Sequence, residues 1–587
     1  MSRAAALALS WRAPALGVTT LRAATMTALG VTLAFLPFES LFFTAGVAGL
    51  AVTDLEAVSG IVVALWIATL ARERRRPDLP RGIAAGLVAL AGISAVSALL
   101  AAPDVSSTAL RFAARSAGFW LLFGVAADLV RSEGAAARLV AWALTGATIS
   151  ALVGWLAFAR GTAEGLVGFG RDFTIGGTLR IAGTFDYPNT AAMAWEAVLL
   201  AALPLILRPS RRDTRALLGA GLAVVGGAML LTLSRGAVLG AVCGLVVMAA
   251  LAVRVRRPSL ALLATGSAVV LAVGMVAAQL AASLPVARFT TESDAGFYGA
   301  TYTAPDRVDA RPGELLAIPV TITNTGAQAW TAAGAAPFRL AYHWLDPQTA
   351  AVVEMEGRRT ALSRDVAPGQ PIDLVASVVA PDVPGGYLLA WDIEQSDVTW
   401  LSEKGVPSRT TTVVVGGVPS AGGSGGASVD VFPDIVPVPG RFELWRAAAE
   451  LVRQHPLLGV GPGAFRLVYG EVLGYPRWDT RIHSNDLYLE LAATTGLLGL
   501  GAFVLVVGGA LRRHVRGIRD AAPSGLAIGL IGAAVAFLAH GVVDYFLGFG
   551  PTGVLFWVLL GAGLGLAMGR VRGGVESAAS GKGRPAT

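Results

Sequence analysis

Charge is scarce in this 587-residue chain: Asp, Glu, Lys and Arg make up only 14% of it, against 54% hydrophobic residues. A soluble chain of this size would carry roughly 25% charged residues. A soluble enzyme is therefore excluded, and so is a disordered protein, which needs low hydrophobicity. Lysine is almost missing, since Lys404 and Lys582 are the only two among 46 basic residues. A nucleic-acid binder would gather its arginines on one soluble face; here they stand in short blocks between apolar runs. Cysteine is reduced to Cys243, inside an apolar run. That excludes a disulfide within the chain and any Cys-based metal site, and leaves Cys243 as a small buried apolar residue.

What the chain has in quantity is long apolar runs. Its mean hydropathy is +0.64, and an integral membrane protein is the reading that follows. The runs predict twelve membrane helices, at about 20–37, 54–71, 82–101, 110–130, 139–159, 188–207, 216–233, 237–253, 259–281, 487–510, 522–545 and 552–570. Arg3, Arg12 and Arg22 lead into the first run, which reads as a membrane helix with a cytoplasmic tail and not as a cleaved signal. Every even-numbered span ends in a basic block: Arg72 to Arg76, Arg131 and Arg138, Arg208 to Arg215, Arg254 to Arg257, Arg512 to Arg519, and Arg570 with Arg572. Basic residues mark the cytoplasmic side. The expected topology is a multi-pass cytoplasmic (inner) membrane protein with both termini inside. The loop from Phe38 to Thr53 has no Lys or Arg and falls outside, as that topology requires.

Three features then land on the outer side: a Gly-rich loop from Arg160 to Tyr187, the Ser234-Arg235-Gly236 turn, and a loop of about 200 residues. The domain plan is 1–290 for spans one to nine, 291–418 for a β-sandwich insertion, and 419–430 for a Gly/Ser linker. An extracytoplasmic loop with an amphipathic helix follows at 431–486, then spans ten to twelve at 487–572 and a disordered cytoplasmic tail at 573–587. Alternating residues predict strands at Leu315–Asn324, Phe338–Leu345, Ile372–Val379, Tyr387–Glu394 and Thr410–Val415. Turn residues such as Asn324-Thr325-Gly326 separate them. This pattern, with Trp330, Trp391 and Trp400, resembles bacterial immunoglobulin-like modules, and only a fold is implied. Trp330, Trp344, Trp391 and Trp400 read as core packing before sugar stacking. Phe442, Trp445, Ala448, Ala449 and Val452 recur at helical spacing over Arg441–Gln454. A surface helix lying along the membrane or a plain soluble helix both fit.

Five histidines remain to be placed. His343 and His514 read as bland strand and loop residues, and His455 as a helix-end cap. His540 and Asp544 stand four apart on span eleven and would share a helix face, as a functional or helix-joining pair. Glu196, inside span six, must face the bundle interior. His483 lies where the outer loop re-enters the membrane, in Arg481-Ile482-His483-Ser484-Asn485-Asp486. A neutral imidazole there could accept a proton at physiological pH. Arg235 sits at an outer turn with no basic block around it, which invites a fixed anion. Arg441 begins the loop helix on the same side, and Asn189 begins span six there, placed to cap the helix or bind a sugar hydroxyl. Two arginines and a histidine facing lipid suit a pyrophosphate substrate.

Four stretches carry a family likeness: Gly183-Thr184-Phe185 with Pro188-Asn189; Thr232-Leu233-Ser234-Arg235-Gly236; Arg441 to Trp445 running on through His455-Pro456-Leu457-Leu458-Gly459-Val460-Gly461-Pro462-Gly463-Ala464-Phe465; and His483-Ser484-Asn485-Asp486-Leu487-Tyr488-Leu489 with Gly496-Leu497-Leu498-Gly499. In these the chain resembles the O-antigen ligase and polymerase superfamily, over nearly all its length except Thr290–Asp430. The resemblance implies a membrane all-α, GT-C-like glycan ligase bundle and a metal-independent, cofactor-free, inverting glycosyltransferase. It would move a glycan from an undecaprenyl-pyrophosphate carrier to an acceptor hydroxyl in the outer leaflet, the acceptor being glycan, lipid or protein. His483 would act as base, Arg235 and Arg441 would hold the pyrophosphate, and Ser234, Asn189, Asn485 and Asp486 would line the substrate site. Ligase, polymerase and protein O-glycosylation share this chemistry. A flippase of lipid-linked sugars is the alternative from another class, for which paired repeats would be expected. A surface-binding role for the β domain is a third.

Overall fold

In the computed structural model of the chain, the described residues are 17–39, 44–47, 50–166, 173–175, 178–281, 297–334, 336–396, 398–417, 426–429, 431, 439–519 and 524–581. Apolar runs bounded by Arg blocks become helices because a helix satisfies its own backbone where lipid offers no partner. They are α1 (Val18–Phe35), α2 (Asp54–Glu73), α3 (Arg81–Leu100), α4 (Pro103–Leu129), α5 (Glu133–Arg160), α6 (Pro188–Ala202), α7 (Arg212–Leu231), α8 (Arg235–Arg254) and α9 (Pro258–Ala281). After the β region come α10 (Arg441–Gln454), α11 (Phe465–Leu473), α12 (Leu487–Arg519), α13 (Gly525–His540) and α14 (Gly550–Gly581). Eleven of the described helices are long and apolar enough to cross a membrane, with α13 as a shorter apolar one. The chain is a multi-pass, all-α membrane protein with a mainly β region near 300–415.

The bundle turns around α6, all of whose residues are buried. Large side chains such as Leu217, Leu262 and Leu505 stand exposed on outer helices, as a lipid surround requires. At the Arg-block end, Asp128 ties α2 to α4. It accepts Nη1 and Nη2 of Arg75 at 2.7 and 2.8 Å, Nε1 of Trp66 at 3.0 Å and the Asp78 amide at 2.9 Å.

Two sheets enclose one core in the β region. Phe338–Leu345, Gly385–Gln395 and Ser408–Val415 run antiparallel in one; Pro371–Val379, Leu315–Asn324 and Ala300–Thr303 run antiparallel in the other. Trp330, Trp344, Trp391, Phe338 and Ile322 fill the space between, and Trp400 is also buried. The tryptophans are core residues. His343 is buried as well, between the Met355 carbonyl (2.6 Å) and Asp392 (3.1 Å). Most of the expected Gly/Ser linker (419–425 and 430) lies outside the described residues, while Ser428–Val429 pairs with Ser408–Arg409. Arg3 and Arg12 also lie outside the described residues, as do 582–587 of the expected tail; α14 itself runs on to Gly581.

Several expectations are corrected. Helix α13 stops at His540, so Asp544 sits on the following turn and shares no helix face with it. His514 is buried on α12, which continues to Arg519, instead of standing in a loop. On α10 the face against the protein is Leu444, Ala447, Ala448 and Leu451, and Phe442 is exposed.

Candidate functional site

The site forms where three motif turns meet the start of α12. The first is Gly183-Thr184-Phe185. Gly183 has φ +61, and a Cβ there would stand 2.5 Å from the Ser150 carbonyl. Thr184 Oγ1 then donates to the Pro37 carbonyl at 2.5 Å and lies 2.9 Å from the Ser150 hydroxyl, from which it can accept, and this pins the turn to α5 and the end of α1. The pinned turn leads directly into α6 and delivers Asn189 to the interior.

Asn189 is buried and committed on both sides. Its Oδ1 accepts Nη2 of Arg180 at 2.5 Å, and its Nδ2 donates to Oδ2 of Asp544 at 3.0 Å. It makes no cap, because Tyr187 holds the cap position and Pro188 opens α6 without a side-chain bond. Arg180, also buried, donates Nε to the Thr232 carbonyl at 2.8 Å. That carbonyl belongs to the second motif turn, where Leu233 takes φ +55. Ser234 caps α8 by accepting the Ala237 amide, which places Arg235 on the first turn. The Arg235 guanidinium lies within Coulombic range of Arg441 and Arg180. Nε of Arg441, at the start of α10, is buried without a hydrogen-bond partner among the described residues. Asp544 is the carboxylate facing this group. Burial raises it above the usual carboxylate range, against the pull of Arg441, the Tyr545 amide, Asn189 and Arg180.

Beneath the arginines lies a second buried pair: Nδ1 of His540 is 3.1 Å from Oε2 of Glu196. Gly236, the residue after Arg235, lies so near the His540 ring that an added Cβ would stand 2.7 Å from its Nε2.

The third part is the return into α12. Asn485 takes φ +53, and Oδ1 of Asp486 accepts the amides of Tyr488 and Leu489 at 2.8 and 2.7 Å. Asp486 therefore caps α12, and burial raises its carboxyl despite those two bonds. The turn lays His483 over α12, with Nδ1 2.8 Å from Oε1 of Glu490. The rings of Tyr545 and Phe549 flank the imidazole at 4.9 and 5.6 Å. One short turn, 541–549, thus carries Asp544 to the arginines and Tyr545 to the histidine. Helix α10 also reaches both halves, since Trp445 Nε1 points at the Asn485 carbonyl at 3.4 Å.

The α10-to-α12 connection is locked by a break inside α12. Gly496 (φ 69, ψ −180) interrupts the helix. The backbone groups freed there pair with the preceding loop: Leu497 N with the Pro456 carbonyl (2.8 Å), Val460 N with Ala493 (2.9 Å) and Gly461 N with Thr494 (3.0 Å). Gly459, with φ +67, allows the approach.

Of the residues picked from sequence, Arg235, Arg441 and Asn189 come together, and His483 joins them through the 541–549 turn. Ser234 and Asp486 act as helix caps, and Asn485 supplies the left-handed turn. Arg180, Glu490, Asp544 as the arginines' partner, and Tyr545 had not been picked out for the site. Arg180 carried a usable signal, being an arginine without a basic block on the same outer loop. Glu490 carried another: a carboxylate inside an apolar run is costly unless it is used. Among the described residues, no group of three or more His, Cys, Asp or Glu is placed to hold a metal ion.

Residues 427–504 match the family described as O-antigen ligase. The matched stretch contains α10, the Gly459–Gly463 turn, His483 and the start of α12. It supports a place in the O-antigen ligase superfamily and glycan transfer of that general kind, in polysaccharide biosynthesis. No curated protein sequence matches the chain.

Proposed function

We propose, with the O-antigen ligase match as premise, that this site transfers a glycan from an undecaprenyl-pyrophosphate carrier to an acceptor hydroxyl at the outer face of the cytoplasmic membrane. The observation that carries the reading is a group of three arginines: Arg235 stands near Arg441 and Arg180, and Asp544 faces the latter two. Positive charge gathered in this way calls for an anion of more than one charge, and a pyrophosphate fits it. The unpartnered Arg441 Nε is one donor ready for it.

His483 takes the proton of the acceptor hydroxyl as its oxygen attacks the anomeric carbon from the side opposite the pyrophosphate. The glycosyl C–O bond breaks, its electron pair leaves on the pyrophosphate oxygen, and the configuration inverts. The guanidinium groups stabilise that developing charge, the task that a divalent cation performs at other pyrophosphate sites. The β region we read as an inserted immunoglobulin-like module of 291–418, and both termini as cytoplasmic; the Arg blocks support that orientation.

Arg235→Ala, in correctly inserted protein, should lower turnover by about 10²–10³-fold. Arg235→Lys should recover only part of that, because an ammonium cannot bind bidentately. Unchanged turnover in both Arg235→Ala and Arg441→Ala would overturn the assignment.

A further inference from the structure

We propose that Glu490 is the positioning residue of His483, holding the imidazole in the tautomer that leaves Nε2 free to act as the base. The inference rests on the reading of His483 as general base and adds to it a residue seven positions along the chain. The pair forms because the chain reverses between them: Asn485 turns left-handed and Asp486 caps α12, so the first turn of that helix brings Glu490 under the ring.

The Glu490 carboxylate is engaged on both oxygens. Oε1 is 2.8 Å from His483 Nδ1, and Oε2 accepts the Ser484 amide at 2.8 Å. Its side chain is 1% exposed, against 11% for His483. A carboxylate accepts and does not donate, so Nδ1 carries the proton and Nε2 keeps its lone pair. Tyr545 and Phe549 flank the ring, which then cannot rotate without losing both them and Glu490. When Nε2 takes the acceptor's proton, the imidazolium forms directly against the carboxylate. The hydroxyl oxygen bonds to the anomeric carbon, and the leaving electron pair goes to the pyrophosphate. The other ionisable groups acting on Glu490 are Asp486, Tyr545 and, from α11, Arg466. They come from three separate elements, and among the described residues Glu490 is the group at Nδ1.

The test uses the full chain in nanodiscs with an undecaprenyl-pyrophosphate oligosaccharide as donor. Lipid A core and a second donor molecule are offered as acceptors, and Glu490→Gln is compared with His483→Ala. The expected result for folded Glu490→Gln is a kcat lower by about 10²–10⁴-fold with the donor KM little changed, as when a histidine base loses its orienting carboxylate. The acid limb of its kcat profile should also move to lower pH, since the imidazolium has lost its neighbour's charge. A purely structural Glu490 would not move that limb. Inactive His483→Ala beside Glu490→Gln with wild-type kcat and an unmoved limb would overturn the role of Glu490 alone. Active His483→Ala would overturn the general-base reading, and the dyad with it. Nitrogen-15 NMR of the wild type gives an answer independent of any variant's folding. His483 protonated at Nδ1 is expected, and the reverse tautomer would overturn the proposal.

Discussion

Gly496→Ala should uncouple the two halves of the site. The backbone there (φ 69, ψ −180) lies in a region that essentially only glycine occupies. A Cβ at this position would stand 2.0 Å from the Leu457 carbonyl oxygen and 2.4 Å from the Leu458 amide, both backbone atoms that cannot swing away. The 456–461 segment has to shift, which strains its bonds to Leu497, Ala493 and Thr494. Backbone strain of about 1–3 kcal/mol and two or three hydrogen bonds at about 1 kcal/mol each give a loss of about 3–6 kcal/mol. The segment joins α10, which carries Arg441, to the start of α12 beside His483. Turnover should therefore fall more steeply than stability alone accounts for. Gly501, five residues on, is the internal control: nothing lies within 4 Å of its added Cβ. Gly501→Ala should be neutral or stabilising by up to about 1 kcal/mol. Thermal unfolding in detergent and single-turnover transfer at a temperature where both variants are folded make the comparison. Equal melting temperatures and equal rates for the two variants would refute the account of the break.

Glu39 carries a pH dependence of stability. Burial, together with Asp186, Glu56 and Asp54 and against Arg115, pushes its carboxyl up from 4.5 to about 7. The folded state then binds the proton more tightly than the unfolded one, so stability is lost as pH rises from 4.5 through about 7. Glu39→Gln should flatten that stretch of the melting profile and stabilise at pH 8 by at most about 3 kcal/mol; an unchanged profile would contradict it. Gly236→Ala would set a Cβ 2.7 Å from His540 Nε2. It should lower turnover by up to about 10²-fold through a displaced Arg235 in a still-folded protein, read as kcat at fixed donor. Asp128→Ala should act the other way, at the far end of the bundle. It strips Arg75, Trp66 Nε1 and the Asp78 amide of their acceptor. About 3 kcal/mol of stability should go, while kcat at low temperature stays at the wild-type value.

Eleven of the twelve spans were legible because hydropathy is a local property; the run at 522–545 holds only the shorter α13. The strands at Leu315–Asn324 and Phe338–Leu345 were legible in the same way, through the alternation of their residues. The inner face of α10 was not. Aromatic residues at helical spacing make Phe442 and Trp445 look like core in the sequence, although Leu444 and Leu451 do the packing. Arg235, Arg441 and His483 stood out as polar residues at apolar borders, a signal of cost. Their pairings did not. Asn189 and Asp544 are 355 residues apart, and nothing local joins them. His540 and Asp544 looked like a helical pair only because the end of α13 at Gly541 is invisible in an apolar run.

The central claim is glycan transfer at the arginine–histidine site. The most direct test incubates purified protein in nanodiscs with an undecaprenyl-pyrophosphate glycan and candidate acceptors, reading products by mass for wild type and His483→Ala. The account predicts a glycosylated acceptor and released undecaprenyl pyrophosphate with wild type alone. The acceptor used would separate a ligase from a polymerase. Unchanged donor across all acceptors in folded wild-type protein, with donor crossing between leaflets, would contradict it and favour transport.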